Sequence, residues 1–251
     1  MKIYIDSNNQ DKMIPILMNL INERVDEEPI DLIVDTILTD DTKKQISGLA
    51  PQTLTITTMQ TPYISNMIDN AEYMRHIFIL KADMWEEQIK MISEIEYYQG
   101  LPLIVDLDSF QALKDSDPDD FSELFIDKLI MFYEELGLFR HNTLNLNMIN
   151  KVDFDIYNTF TAFMSEEMQN LCFWFNVGWI PDVPELYGID PIKVQCNMHC
   201  VDGGLIKDDG VYFCQYKMVK LAELEERNTP ECRKKVFMYF KEHKCNGCSN
   251  K

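Results

Sequence analysis

Short apolar runs and segments of helical period take turns through the first 180 residues, and few folds accept that rhythm. The runs KIYID (2–6), IDLIVDTIL (30–38), TLTITTM (53–59), HIFILK (76–81), LPLIVDLD (101–108), TLNLNMI (143–149) and LCFWFNV (171–177) are rich in Ile, Val, Leu, Phe and Thr, which strands favour. Several are apolar almost throughout, as strands covered on both faces of a parallel sheet are. TLNLNMI differs, because Leu144, Leu146 and Met148 alternate with Asn145 and Asn147. One of its faces is therefore polar, either on a partly exposed strand or in the wall of a polar cleft. Strand–helix repeats with right-handed crossovers predict an α/β domain, built as a partial (β/α) barrel or as an open, mostly parallel sheet.

The helical segments carry their own signals. Met13, Leu17, Leu20 and Ile21 make one apolar stripe over residues 11–24. In DMWEEQIKMISEIEYYQG (83–100), Asp83 is placed to cap the first turn and Glu86 to complete a capping box. Trp85, Ile89, Ile92 and Ile95 then form the buried stripe, and Gly100 stops the helix. In residues 117–137, Asp117 precedes Pro118 at the expected first helical position, acids fill the first turn and Gly137 ends it. The stretch WIPDVPELYGIDP (179–191), with three prolines and a glycine, marks a boundary between a domain over 1–180 and a second over 181–251. The second is small and poor in apolar residues, so it needs a staple.

Hydrophobic residues are 46% of the 251, with 14 Phe and 11 Tyr, enough for a real core. The net charge of −19 repels phosphate backbones and anionic lipid, which excludes nucleic acid and membrane surfaces as partners and suits a basic peptide or protein. Its plainest use is solubility. No apolar run approaches the ~18 residues that span a bilayer, and MKIYIDSNNQDK has no signal-peptide core. A cytoplasmic protein is expected, and there closely spaced cysteines more often bind metal or do redox chemistry than form structural disulfides.

Six of the seven cysteines fall in the last 56 residues. Cys196, Cys200 and Cys214 have the spacing C-x3-C-x13-C, and Cys245-Asn-Gly-Cys248 is a C-x2-C knuckle whose Gly247 permits a tight turn. Between Cys200 and Cys214, residues 205–207 and 211–213 read as two short strands joined by Asp208-Asp209-Gly210, a hairpin that returns Cys214 towards Cys200. Four converging thiolates suit a [4Fe–4S] cluster or a tetrahedral zinc. Buried free thiols are the simpler alternative. Cys232 is a ligand or a spare, Cys172 belongs to a core strand, and His199 beside the cysteines is a neighbour or a zinc ligand.

The Cys196/Cys200 pair, the turn DDGVYFC with Cys214, and CNGC with Cys245 and Cys248 resemble the SPASM/Twitch auxiliary-cluster domains at the C-termini of radical SAM enzymes. The resemblance covers about 50 residues closely and implies an iron–sulfur cluster held by Cys196, Cys200, Cys214, Cys245 and Cys248. The preceding strand–helix series matches that family's partial barrel as a pattern only. The C-x3-C-x2-C motif that this family carries after its first strand is missing: here KIYID is followed by SNNQDK. The glycine-rich segment after the second strand is missing too, replaced by DTILTDDTKK. The resemblance therefore implies a degenerate member, without the family's catalytic cluster, that binds a peptide or protein partner and keeps its C-terminal cluster as a staple or electron relay. Two other readings stand beside it: an enzyme that holds substrate or relays electrons through that cluster, and a zinc-stapled interaction protein.

Other chemistry is sparse. Asp6, Asp35, Asp83, Asp106 and Asp108 sit at expected strand ends, where α/β folds bind ligands, and oxygen ligands there suit a divalent cation. Helix capping by Asp83 and solvated turns for the rest explain them more simply. The chain has no G-x-G-x-x-G, P-loop, G-x-S-x-G or H-E-x-x-H motif, and its four histidines form no spaced cluster.

Overall fold

The computed structural model describes residues 2–23, 30–53, 56–68, 74–95, 103–136, 143–148, 152–167, 172–177, 204–213 and 218–242. The elements run β1 (Lys2–Asp6), α1 (Gln10–Asn22), β2 (Ile30–Asp35), α2 (Asp40–Thr53), β3 (Ile56–Thr61), β4 (Arg75–Leu80), α3 (Trp85–Ser93), β5 (Leu103–Asp106), α4 (Leu107–Ser116), α5 (Phe121–Leu136), β6 (Thr143–Met148), α6 (Phe154–Glu167) and β7 (Cys172–Val177). Then come β8 (Leu205–Lys207), β9 (Gly210–Tyr212), β10 (Lys220–Ala222) and α7 (Pro230–Glu242). The described residues divide into two compact units. One gathers those up to Ile77 with those from Gly204 onward, and the other those from Phe78 to Val177.

In the first unit the strand order is β10-β9-β8-β1-β2-β3. β1 pairs parallel with both β2 and β8, β2 pairs parallel with β3, and the two pairings of β9 are antiparallel. Ile3 and Ile5 of β1 alternate with half-buried Lys2, Tyr4 and Asp6. In register beside them, Leu32 and Val34 of β2 are also fully buried. These apolar faces pack with Met13, Leu17 and Leu20 of α1 and Ile46 of α2. A strand side chain reverses face at each residue, so Tyr4 and Asp6 lie on the opposite side of the sheet from this core.

In the second unit β4, which carries the chain over from the first, is followed by β5, β6 and β7, all in parallel pairs. The α/β class is as the sequence predicts, and of the two arrangements left open there the strands form the open, mostly parallel sheet. Trp85 centres this unit's core. Its ring lies 5.1 Å from Phe110 of α4, edge on, and 5.7 Å from Phe132 of α5, and its Nε1 donates to the Lys128 carbonyl at 2.8 Å. Ile89 and Ile92 are fully buried beside it on the expected stripe, and Ile95 lies just past the end of α3.

Several local expectations are corrected. β3 starts at Ile56, because α2 continues through Thr53. The Thr39 hydroxyl starts α2 by accepting from the Thr42 N–H at 3.2 Å. Asp83 caps nothing: α3 opens at Trp85 with no side-chain cap, and Gln88 holds the preceding turn. Its Oε1 accepts from the Lys81 N–H at 2.9 Å and its Nε2 donates to the Ile79 carbonyl at 2.8 Å. The run at 101–108 is strand only to Asp106. Leu107 and Phe110 turn inward as the first buried residues of α4. Asp117 follows the end of α4, and α5 begins at Phe121, after a turn through Pro118. The expected polar face of Asn145 and Asn147, the boundary at 179–191, and the stops at Gly100 and Gly137 lie outside the described residues or side chains.

Candidate functional site

Cys196, Cys200, Cys214, Cys245 and Cys248, the residues expected to bind a cluster, lie outside the described residues. What the structure gives is the scaffold next to two of them. The expected hairpin is present as β8 and β9, with Leu205 opposite Tyr212 and Lys207 opposite Gly210, so Asp208 and Asp209 form a two-residue loop. The chain entering at Leu205, five positions after Cys200, and the chain leaving at Tyr212, two before Cys214, are thus at one end of the hairpin. Gly204 enters it with φ +79°, and a Cβ there would sit 2.6 Å from the Tyr212 carbonyl oxygen. Five thiols suit a soft metal centre, and the hairpin end joins the segments that carry two of them.

Cys232 is not part of that set as a reactive group. It lies in α7, is 1% exposed and packs with Val211 and Ala222. Burial pushes its thiol pKa up, so it is an inert core residue. Thr229 begins α7 as its N-cap, its hydroxyl accepting from the Cys232 N–H at 3.1 Å ahead of Pro230 at the first position.

The loop after β1 is a closed turn. The Asp6 carboxylate accepts from the Asn8 N–H at 2.9 Å. Asn9, 2% exposed, accepts from the Asp6 N–H at 2.7 Å and donates to the Tyr4 carbonyl at 3.1 Å. Gln10 accepts from the Thr39 N–H at 3.3 Å. The Asn9 and Gln10 amide oxygens and one oxygen of Asp6 thus accept from backbone N–H groups.

Beside that turn lies a half-buried polar patch on the sheet face away from the first unit's core. The Lys207 ammonium sits 3.0 Å from Asp6 and lies over the rings of Tyr4 and Tyr212, 5.3 and 5.6 Å from their centroids. The Tyr4 hydroxyl donates to exposed Asp35 at 2.9 Å, and the Tyr212 hydroxyl to Asp209 at 2.8 Å. Farther along, Thr58 donates to Asp31 at 2.6 Å. Burial and the neighbouring Asp35 raise the Tyr4 phenol well above its usual range, and burial and Asp209 raise Tyr212 to about 12. Both phenols therefore remain donors at neutral pH. No family model, curated protein or solved structure matches this chain.

The remaining acids divide. Asp6 and Asp35 belong to the polar patch. In the second unit, Asp106 ends β5 ahead of α4, and its carboxyl is raised to about 7, first by burial, then by Asp108, with Asp83 adding and Lys81 opposing. Ser109 fastens this corner, accepting from the Ala82 N–H at 2.8 Å and donating to the Asp106 carbonyl at 2.6 Å. Among the described residues no group of three or more His, Cys, Asp or Glu is arranged to hold a metal ion, and no helix is long and apolar enough to cross a membrane.

The sequence reading missed the lysine of the patch. The signal was available: in a two-residue hairpin Lys207 and Tyr212 share a face, and pairing of β8 beside β1 adds Tyr4 to it. What the sequence does not reveal is that β8 chooses β1 as its neighbour.

Proposed function

We propose that the protein is a non-catalytic relative of radical SAM enzymes that carries a [4Fe–4S] cluster on its C-terminal cysteines and binds a basic peptide or protein in the cytoplasm. The loop after β1 carries this reading. In the resembled family that position holds the thiols of the catalytic cluster. Here it holds Asp6, Asn8, Asn9 and Gln10, and the side chains of Asp6, Asn9 and Gln10 bond to backbone groups. Oxygen and amide groups are poor ligands for an iron–sulfur cube. The thiols at 196, 200, 214, 245 and 248 would hold the cluster, which supplies cross-linking of the tail and, when reduced, an electron. The rest is done by this chain's own residues. Asp35, Asp31 and Asp209 line a patch with phenol donors beside them, suited to cationic side chains.

Three measurements test this. Anaerobically purified protein should contain iron and sulfide in stoichiometric amounts. Zinc in their place would support the zinc-stapled reading, and neither metal would sink both. Reduced, cluster-loaded protein should release no 5′-deoxyadenosine from S-adenosylmethionine. Multiple turnovers abolished by Cys200→Ala would establish the enzyme reading instead. A lysine-rich peptide should bind in a salt-sensitive manner and bind more weakly to Asp35→Asn, and unchanged affinity would remove the patch from the proposal.

A further inference from the structure

Two exposed helix faces carry apolar side chains and opposite charge. On α5, Ile126, Ile130 and Tyr133 are exposed at spacings of four and three residues, so they form one stripe. Glu123, Asp127 and Glu134 border it along the outer side, at positions one helical step away. The buried side of the same helix is Phe121, Phe125, Leu129, Phe132 and Leu136, so the stripe is surplus to this unit's core. On α7, Cys232 and Val236 face inward, while Phe237 is 54% exposed and Met238 39% exposed. Arg233 and Lys234 lie on the same outer side. Four of the chain's 23 Lys and Arg residues fall within these 13 positions of a protein whose net charge is −19. The cationic face is therefore local, and an acidic, apolar surface is its natural complement. The chain itself supplies one on α5. The apolar side chains of both faces are exposed.

We propose that α7 of one copy docks on α5 of a second copy. Phe237 and Met238 would bury against Ile126, Ile130 and Tyr133, with Arg233 and Lys234 set against Glu123, Asp127 and Glu134. The contact joins different surfaces, so two copies can satisfy both faces in a reciprocal C2 pair, and a head-to-tail row or larger ring forms where that pair does not close.

Sedimentation velocity of the full-length protein, from micromolar to submillimolar concentration, tests this. The sedimentation coefficient should rise with concentration and fall back as salt shortens the screening length from about 10 Å to about 3 Å. Two surface variants give the decisive comparison: R233E/K234E, which makes α7 acidic, and E123K/D127K/E134K, which makes the α5 rim basic. Each alone should associate at least about tenfold more weakly, because like charges then meet. A mixture of the two should associate again, since each α7 then finds an oppositely charged α5 on the other variant. Circular dichroism melts unchanged from the parent would confirm that the variants are folded. A parent protein that stays monomeric throughout the range overturns the proposal. So does association that either variant leaves unchanged, or a mixture that remains monomeric.

Discussion

Asn66 is fully buried in a single 3-10 turn, and its side chain joins two loops. Its Oδ1 accepts from the Leu38 N–H at 2.8 Å, while its Nδ2 donates to the Thr36 carbonyl at 2.8 Å and the Thr61 hydroxyl at 2.9 Å. Truncation leaves buried partners without their bonds. Asn66→Ala is expected to cost on the order of 3 kcal/mol in urea unfolding, and a loss below about 1 kcal/mol would mean that water replaces the amide. Nothing in the sequence around Asn66 distinguishes it from an ordinary loop asparagine, because its partners come from the ends of β2 and β3. Asp106 is a different case. Its carboxyl pKa is raised to about 7 from an ordinary value of 3.8, so the folded state binds its proton more tightly than the unfolded state does. That opposes folding increasingly as pH rises from about 4 to about 7 and fully above it. Asp106→Asn should therefore stabilise the protein at pH 8, with the gain fading on acidification towards pH 4. A gain equal at both pH values would mean that the carboxyl is not the cause. The sequence placed Asp106 correctly at a strand end but gave no sign of its burial, which depends on the packing around the start of α4.

The elements were legible where a local pattern decides them and obscure where two patterns compete. The stripe Trp85, Ile89, Ile92 has one period and one reading, and it is buried as expected. The run LPLIVDLDSF holds the end of a strand and the start of a helix in one apolar stretch. Periodicity cannot divide it, so α4 was hidden. The hairpin β8–β9 was legible from its Asp-Asp-Gly turn. Its geometry leaves no space for a side chain at Gly204, which combines φ +79° with a 2.6 Å approach to the Tyr212 carbonyl. Gly204→Ala is thus expected to raise amide exchange over 205–212 at least about tenfold, a cost above roughly 1 kcal/mol, while the second unit keeps its protection. Equal loss in both units would mean that the hairpin is not an independent opening segment. In the second unit, Trp85→Ala removes ring contacts to Phe110 and Phe132 and the indole bond to the Lys128 carbonyl. Thermal or urea unfolding should show a loss of about 3–5 kcal/mol.

At the scale of the whole chain, the sequence predicted mostly parallel strands but neither an open sheet over a partial barrel nor which strands would be neighbours. The five candidate ligand cysteines stayed a sequence inference, since spacing names ligands without fixing where they converge. If the proposed cluster ties the tail together, Cys214→Ala should loosen β8 and β9 and, with them, the outer edge of β1, whose partner on that side is β8. Hydrogen exchange should then rise in residues 2–6 as well as 205–212 and stay unchanged in β5 and β6. Unchanged protection in β8 would mean that the hairpin stands without the metal. That same pairing sets a timetable for synthesis. Lys2 lies in register with Leu205, and Asp6 and Lys207, which form an ion pair, are 201 positions apart. At about 5–20 residues per second, the ribosome needs on the order of 10–40 s to deliver β8 after β1 has emerged. Throughout that interval the nascent chain shows an unpaired β1 edge, open to strands of neighbouring nascent chains, so production of this protein in cells should depend on chaperones that shield the first strand until the last hairpin arrives.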